Sequence, residues 1–233
     1  MSSSTSSAAR PRWRNDLGQV AAVIFDMDGV LVDGEPLHFQ AVNQLLADEG
    51  RSITLDQYRP YMGTKSGWSE FVADFGLRHP REHYAPRYNE LILAQYRSAL
   101  APLPGAIEAV ETLRRAAIPV ALASSSARPW VEACLEGIGL AGAFAVTVTG
   151  TDIVNGKPDP EIYLAAAHAL GVPPPECLAI EDAPAGIAAA VAAGMTCWAV
   201  RTEYTRGLHL GSPTRTFESL IEAPFLEIGG VAA

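Results

Sequence analysis

Asp26-Met27-Asp28-Gly29 follows directly on the apolar run Val20-Ala21-Ala22-Val23-Ile24-Phe25, so two carboxyl groups leave the end of a buried strand together. Residues i and i+2 of an extended segment point to the same side, which lets one pocket hold both acids, and Gly29 permits a sharp exit. Two carboxylates in one pocket repel each other. A shared proton or a bound cation relieves them, and either suits the pair to nucleophilic or acid/base work. A solvated turn at a strand end would use the same residue types, because Asp and Gly are common in turns.

The choice of cations is the second signal. Of 17 basic residues only Lys65 and Lys157 are lysine, so arginine serves almost everywhere else. Lysine offers a compact point charge on a flexible stem, suited to a single phosphate oxygen or carboxylate in a tight site.

Stepping along the chain, the periodicity supplies the elements that must position these groups. Leu37, Ala41, Val42, Leu45 and Leu46 recur at helical spacing up to Gly50. A second helix is expected from Ser66 to Gly76, and a third over about 80–100, which Pro86 either kinks or starts. From Leu103-Pro104-Gly105 onward the pattern alternates. Helices are predicted over 105–116, 128–137, 160–170 and 184–193, and strands over 119–123, 144–148, 177–180 and 196–200. Alternation of this kind predicts βαβ units, and thus an α/β fold in which a parallel sheet is flanked by helices. The strand at 20–25 joins that sheet, so residues 34–101 read as an all-helical insertion, with connections near 33–36 and 100–104 as its hinges.

Ligand sites in such sheets gather at the carboxyl ends of the strands. Asp26 and Asp28 follow the first strand, and Ser124-Ser125-Ser126 the one at 119–123. The loop 149–158, ending in Gly156-Lys157-Pro158, follows the strand near 144–148, and Glu181-Asp182 follows 177–180. Acids, hydroxyls and one of the two lysines therefore converge on one edge. An oxygen-ligated Mg²⁺ fits this set, whereas zinc is disfavoured because no His or Cys joins these loops. Lys157 and Ser124 then suit an anion beside the metal, and phosphate is the natural one. A nucleophile, charge neutralisation and a proton donor are what in-line phosphoryl transfer requires.

Composition narrows the partners. The formal net charge of −9 argues against nucleic acid or an anionic membrane, both of which need a basic surface. Cys134, Cys177 and Cys197 are widely spaced without a CxxC pair, as expected of reduced core residues in a cytoplasmic protein. No apolar stretch reaches the roughly 20 residues that span a bilayer. Residues 1–17 are expected to form an unstructured tail, and the protein to be a monomer.

Asp26-Met27-Asp28-Gly29-Val30-Leu31-Val32-Asp33, the strand end at Ser124, Gly156-Lys157-Pro158-Asp159-Pro160 and Glu181-Asp182 with Ala185-Gly186-Ile187 resemble, in order, the four motifs of the haloacid dehalogenase-like superfamily. The resemblance covers nearly the whole chain after about residue 18. It implies a Rossmann-like core at 18–33 and 102–233. The helical insertion at 34–101 is similar to the cap of the branch that holds sugar-phosphate phosphatases and β-phosphoglucomutases. By that resemblance Asp26 is the nucleophile that forms an aspartyl-phosphate and Asp28 the general acid/base. Ser124 and Lys157 hold the phosphoryl group. Mg²⁺ is bound by the Asp26 side chain, the Asp28 carbonyl, Asp182 and Glu181. His38 and Lys65, with Ser125 beside Ser124, are expected at the substrate. Dehalogenation is disfavoured, since dehalogenases of the group generally lack the second aspartate.

The implied activity is hydrolysis of a small phosphate ester, such as a sugar phosphate. A phosphosugar mutase is the alternative, weakened because Arg87-Tyr88-Asn89 lacks the lysine that mutases of this type carry on the last cap helix. A non-catalytic binding protein that keeps the fold is a third reading. Asp33-Gly34-Glu35-Pro36 is similar to the Asp-Ser-Glu-Pro turn of phosphatase members, with Gly34 in place of serine.

Overall fold

Six parallel strands form the sheet in a computed structural model that describes residues 20–58, 71, 73–203 and 205–230. They are β1 (Ala22–Phe25), β2 (Val120–Ser124), β3 (Val146–Thr149), β4 (Cys177–Glu181), β5 (Thr196–Val200) and β6 (Arg215–Phe217), in the order β3-β2-β1-β4-β5-β6. Central β1 pairs with β2 on one side and β4 on the other, with Phe25 in register with Leu122 and Ile180. The chain therefore leaves β1 toward one sheet edge and returns on its other side at β4, which opens a crevice beyond the carboxyl ends of β1 and β4.

Strands buried on both faces read as continuous apolar runs, which is why AVIF and VALAS carry no polar alternation before their ends. Alternate residues feed two cores. Val23, Phe25, Leu122 and Ile180 pack against helices α4 (Ala106–Arg115) and α5 (Arg128–Gly137). Ile24, Ala121, Ala123 and Ala179 face α6 (Glu161–Leu170) and α7 (Pro184–Ala192), through Tyr163, Ala166, Ile187 and Ala190. The second face is rich in alanine, so its helices lie close to the sheet.

Between β1 and α4 the described residues contain helices α1 (Glu35–Ala47), α2 (Leu55–Tyr58) and α3 (Arg81–Ala99), and no strand. Val42, Leu46, Ile53, Tyr58 and Phe71 form a small core of their own. Pro86 is the sixth residue of α3, within the helix that begins at Arg81. The two ends of the insertion meet: Val32 bridges Pro102 antiparallel, and Leu103 N–H donates to the Leu31 carbonyl at 2.8 Å. Among the described residues no helix is long and apolar enough to cross a membrane. Segment 1–17 and Lys65, with most of the helix expected from Ser66, lie outside the described residues.

Several expected boundaries move. The first strand begins at Ala22 rather than Val20, and the third runs 146–149 rather than 144–148. Edge strand β6, short helix α2 and the 3-10 turns Pro174–Glu176, Leu220–Glu222 and Phe225–Gly230 are additional to the expected elements.

Candidate active site

The turn after β1 is set by Gly29, whose φ of +81° lies in the left-handed region that a Cβ disfavours. Leu31 N–H donates to the Met27 carbonyl at 2.8 Å and Gly29 N–H to the Val32 carbonyl at 2.7 Å, which closes a tight loop with Asp28 on its rim. Gly29 is also needed for space. A Cβ at this position would fall inside the Asp182 carboxylate. The first and fourth strand ends thus approach as closely as backbone allows.

Lys157 stands at the centre of the cluster. Its Nζ donates to Asp26 Oδ1 at 2.5 Å, to Glu181 Oε1 at 2.6 Å and to the Ala123 carbonyl at 3.2 Å. The side chain is only 8 % exposed, so the ammonium keeps its charge through these partners. Burial opposes that charge, and Asp26 and Glu181 more than offset it, holding Lys157 above its ordinary value. Two carboxylates clamp the loop that delivers it. Asp152 accepts from Thr149 N–H at 2.7 Å and from Arg128 at 2.6 Å, and Glu161 accepts from the N–H groups of Val154 and Asn155 at 2.8 Å.

Glu181 is the best-anchored acid. Oε1 accepts from Lys157 and, at 2.7 Å, from the Tyr163 hydroxyl, while Oε2 accepts from Asp182 N–H at 3.0 Å and Ala183 N–H at 3.3 Å. Its carboxylate occupies the space that a side chain on Gly186 would take. Gly186→Ala is therefore expected to lower stability by about 2–4 kcal/mol, measured by denaturant unfolding, because the new methyl must displace a buried carboxylate held by four donors.

Asp26, Glu181 and Asp182 each offer an oxygen within 4.8 Å of the others. One lysine cannot balance three carboxylates. Burial pushes Asp26 up to about 8 against the pull of Lys157, with Glu181 and Asp28 adding to the rise. Burial, then Asp26 and Glu181, pushes Asp182 up to about 8 as well. The excess of two negative charges over one ammonium, in an all-oxygen donor set, fits a hard divalent cation such as Mg²⁺. Asp26 and Asp182 are the carboxylates suited to it, since both oxygens of Glu181 already accept two donors each.

Asp28 lies to one side of this cluster. Its Oδ2 accepts from the Ser126 hydroxyl at 3.0 Å, and burial raises its pKa against that hydrogen bond. Ser124 is 1 % exposed, and its Oγ accepts from Ser126 N–H at 3.1 Å. Ser125 is exposed, with its carbonyl packed where a Cβ on Gly150 would sit. Of the three serines it is Ser126 that reaches an acid. His38 is not brought to the carboxylates directly. Nδ1 lies 2.7 Å from the Tyr88 hydroxyl and Nε2 2.9 Å from the Tyr96 hydroxyl, so both nitrogens are engaged. Tyr163 and Tyr96 are not marked as site residues in the sequence, and Ser126 is marked only as part of the serine run after a strand end, where Ser124 and Ser125 are the expected site residues.

With this geometry in place, comparison with known proteins is decisive. The model of the haloacid dehalogenase-like hydrolases matches residues 20–194. The chain belongs to that family. Among its relatives, the chloroplastic protein Suppressor of quenching 1 of Arabidopsis thaliana is 38% identical over 202 residues, 83% of this chain but 19% of that much longer protein. The phosphorylated carbohydrates phosphatase of Thermotoga maritima is 36% identical over 176 residues, covering 75% of this chain and 82% of the relative. The crystal structure of CbbY from Rhodobacter sphaeroides in complex with phosphate superposes with a TM-score of 0.76 at 30% identity, over 87% of this chain and 96% of that one.

Proposed function

We propose that the protein is a Mg²⁺-dependent phosphatase acting on a small phosphorylated metabolite, a sugar phosphate by preference, through an aspartyl-phosphate on Asp26. The observation that carries this reading is the buried Asp26–Lys157 pair at 2.5 Å, set at the end of β1 beside an Asp28 that has its own hydroxyl partner. The phosphorylated carbohydrates phosphatase relative supports the substrate class.

In this reading a carboxylate oxygen of Asp26 attacks phosphorus as the ester P–O bond breaks, and the Asp28 carboxyl gives its proton to the leaving oxygen. The Asp28 carboxylate then takes a proton from a water whose oxygen attacks phosphorus. That step frees the Asp26 carboxylate and inorganic phosphate. Lys157 and the hydroxyl of Ser124 hold the phosphoryl oxygens, and Ser126 keeps Asp28 oriented. Asp26, Asp182 and the Asp28 carbonyl would hold Mg²⁺, beside a Glu181 fixed by its own four donors, and the cation would supply charge neutralisation for the transferring phosphoryl group. The helical insertion 34–101 acts as a cap over the crevice, turning on the paired connections at 31–32 and 102–103. Ser125 and His38 belong to the substrate side of that cap and crevice, with His38 acting through its tyrosine partners.

The test is a panel of phosphorylated sugars and related metabolites, assayed with Mg²⁺ and with EDTA. Release of phosphate that EDTA abolishes and Mg²⁺ restores is the expected outcome, accompanied by a Mg²⁺-dependent rise in Tm. Inactivity on every ester overturns the reading. Formation of glucose 6-phosphate from β-glucose 1-phosphate and a bisphosphate primer would move the assignment to a mutase.

A further inference from the structure

Gly34, which opens α1, lies between two oxygens. A Cβ at this position would stand 2.6 Å from Tyr96 Oη and 3.4 Å from Asp28 Oδ1. The Tyr96 hydroxyl and the Asp28 oxygen that Ser126 does not hold therefore face the same bare backbone position.

Tyr96 has little freedom to turn away. It is 0 % exposed, and its hydroxyl lies 2.9 Å from His38 Nε2. His38 is fixed in turn by the Tyr88 hydroxyl at Nδ1 and by the Trp130 ring, 5.5 Å away between centroids. Burial pushes the imidazole down to about 4, so the ring is neutral and presents one donor and one acceptor nitrogen. When the Tyr88 hydroxyl donates to Nδ1, Nε2–H donates to Tyr96 Oη, so the Tyr96 O–H is not spent on the histidine. The cluster joins α1, α3 and α5, so it meets Asp28 from the helical insertion while Ser126 meets it from the sheet.

We infer that Tyr96 is a positioning residue for Asp28. Its hydroxyl, aimed by His38, approaches the Asp28 carboxyl across Gly34 and fixes the direction in which that carboxyl delivers its proton. The inference rests on the proposed phosphatase reaction, in which Asp28 protonates the leaving oxygen. It also gives His38 and Gly34 one shared purpose: the histidine aims the hydroxyl, and the glycine leaves room for it.

The experiment compares wild type, Tyr96→Phe, Gly34→Ser and the double variant on two esters with Mg²⁺. One is the alkyl phosphate best hydrolysed in the panel, whose leaving oxygen needs a proton. The other is p-nitrophenyl phosphate, whose leaving oxygen departs without one. Tyr96→Phe is expected to lower kcat/KM about tenfold on the alkyl ester and less than about threefold on the nitrophenyl ester, with Tm little changed. Gly34→Ser should fall below wild type because its Cβ meets Tyr96 Oη. With that oxygen removed, the serine restores a hydroxyl beside Asp28, so the double variant should exceed Tyr96→Phe on the alkyl ester by about threefold or more. Equal losses on both esters, no loss at all, or a double variant no better than Tyr96→Phe overturns the inference while leaving the phosphatase reading intact. A wild type inactive on both esters overturns the two together.

Discussion

Asp26→Asn is expected to lower phosphate release by about 10⁴-fold or more while leaving the metal-free protein at least as stable as wild type. The first half follows from nucleophilicity: a carboxamide cannot form the acyl-phosphate bond that the proposed reaction passes through. The second half follows from the charge balance. Asp26, Glu181 and Asp182 crowd one lysine, and neutralising one acid reduces their repulsion, while Lys157 keeps its 2.6 Å contact with Glu181. Steady-state kinetics and thermal unfolding in EDTA check the two halves separately. Retained turnover would remove Asp26 as nucleophile, whereas a collapse of Tm would mean that the lost activity is a folding defect. The Mg²⁺-dependent rise in Tm should also shrink in the variant, since one of the carboxylates suited to the cation is gone.

Asp26, Ser124 and Glu181 make the site legible in the sequence, because each stands at or just past the end of a strand that an apolar run announces. AVIF, VALAS and CLAIE are buried throughout, and short uninterrupted apolar runs bounded by polar residues are the pattern of a doubly covered parallel strand. Asp26, Ser124 and Glu181 are therefore legible on one edge in the sequence, whereas Lys157 reaches it through the loop after β3, whose VTVT is not an apolar run. What stayed hidden depends on tertiary placement. Tyr163 reads as one more core aromatic at helical spacing, and its partner Glu181 is 18 residues away on another element. His38 reads as a polar residue on the insertion, yet its two nitrogens meet tyrosines 50 and 58 residues further on. Ser124, Ser125 and Ser126 are chemically identical, and only the turn after β2 decides which hydroxyl reaches Asp28. Edge strand β6 has three residues and follows a loop containing Gly207, Gly211 and Pro213, too short a run for alternation to show.

Lys157→Met should be the more damaging change to the fold and nearly as damaging to activity. Methionine matches the length of the stem and removes the ammonium, leaving Asp26, Glu181 and Asp182 with no cation at the cluster among the described residues. Removing one partner of a buried pair typically costs about 3–5 kcal/mol, because the remaining charge is stranded. The loss of a phosphate-holding cation should lower kcat by about 10²–10³-fold. The pH dependence distinguishes this cause from a packing defect. Asp26 and Asp182 already have folded pKa values near 8, raised from 3.8 by burial and by each other's neighbours. Between these limits the folded state binds protons that the unfolded state has released, so stability is full below about pH 4 and falls as pH rises toward 8, by up to about 1.4 kcal/mol per unit for each net proton. Lys157 restrains that slope by lowering both carboxylates, and Mg²⁺ should restrain it further by binding the ionised form. In metal-free Lys157→Met the fall is expected to extend to higher pH, so that the variant approaches wild-type stability near pH 4–5 and diverges from it at and above pH 8. Unfolding curves at several pH values in EDTA measure this directly. A deficit that does not change with pH would assign the loss to packing around the methionine and remove charge imbalance as its cause.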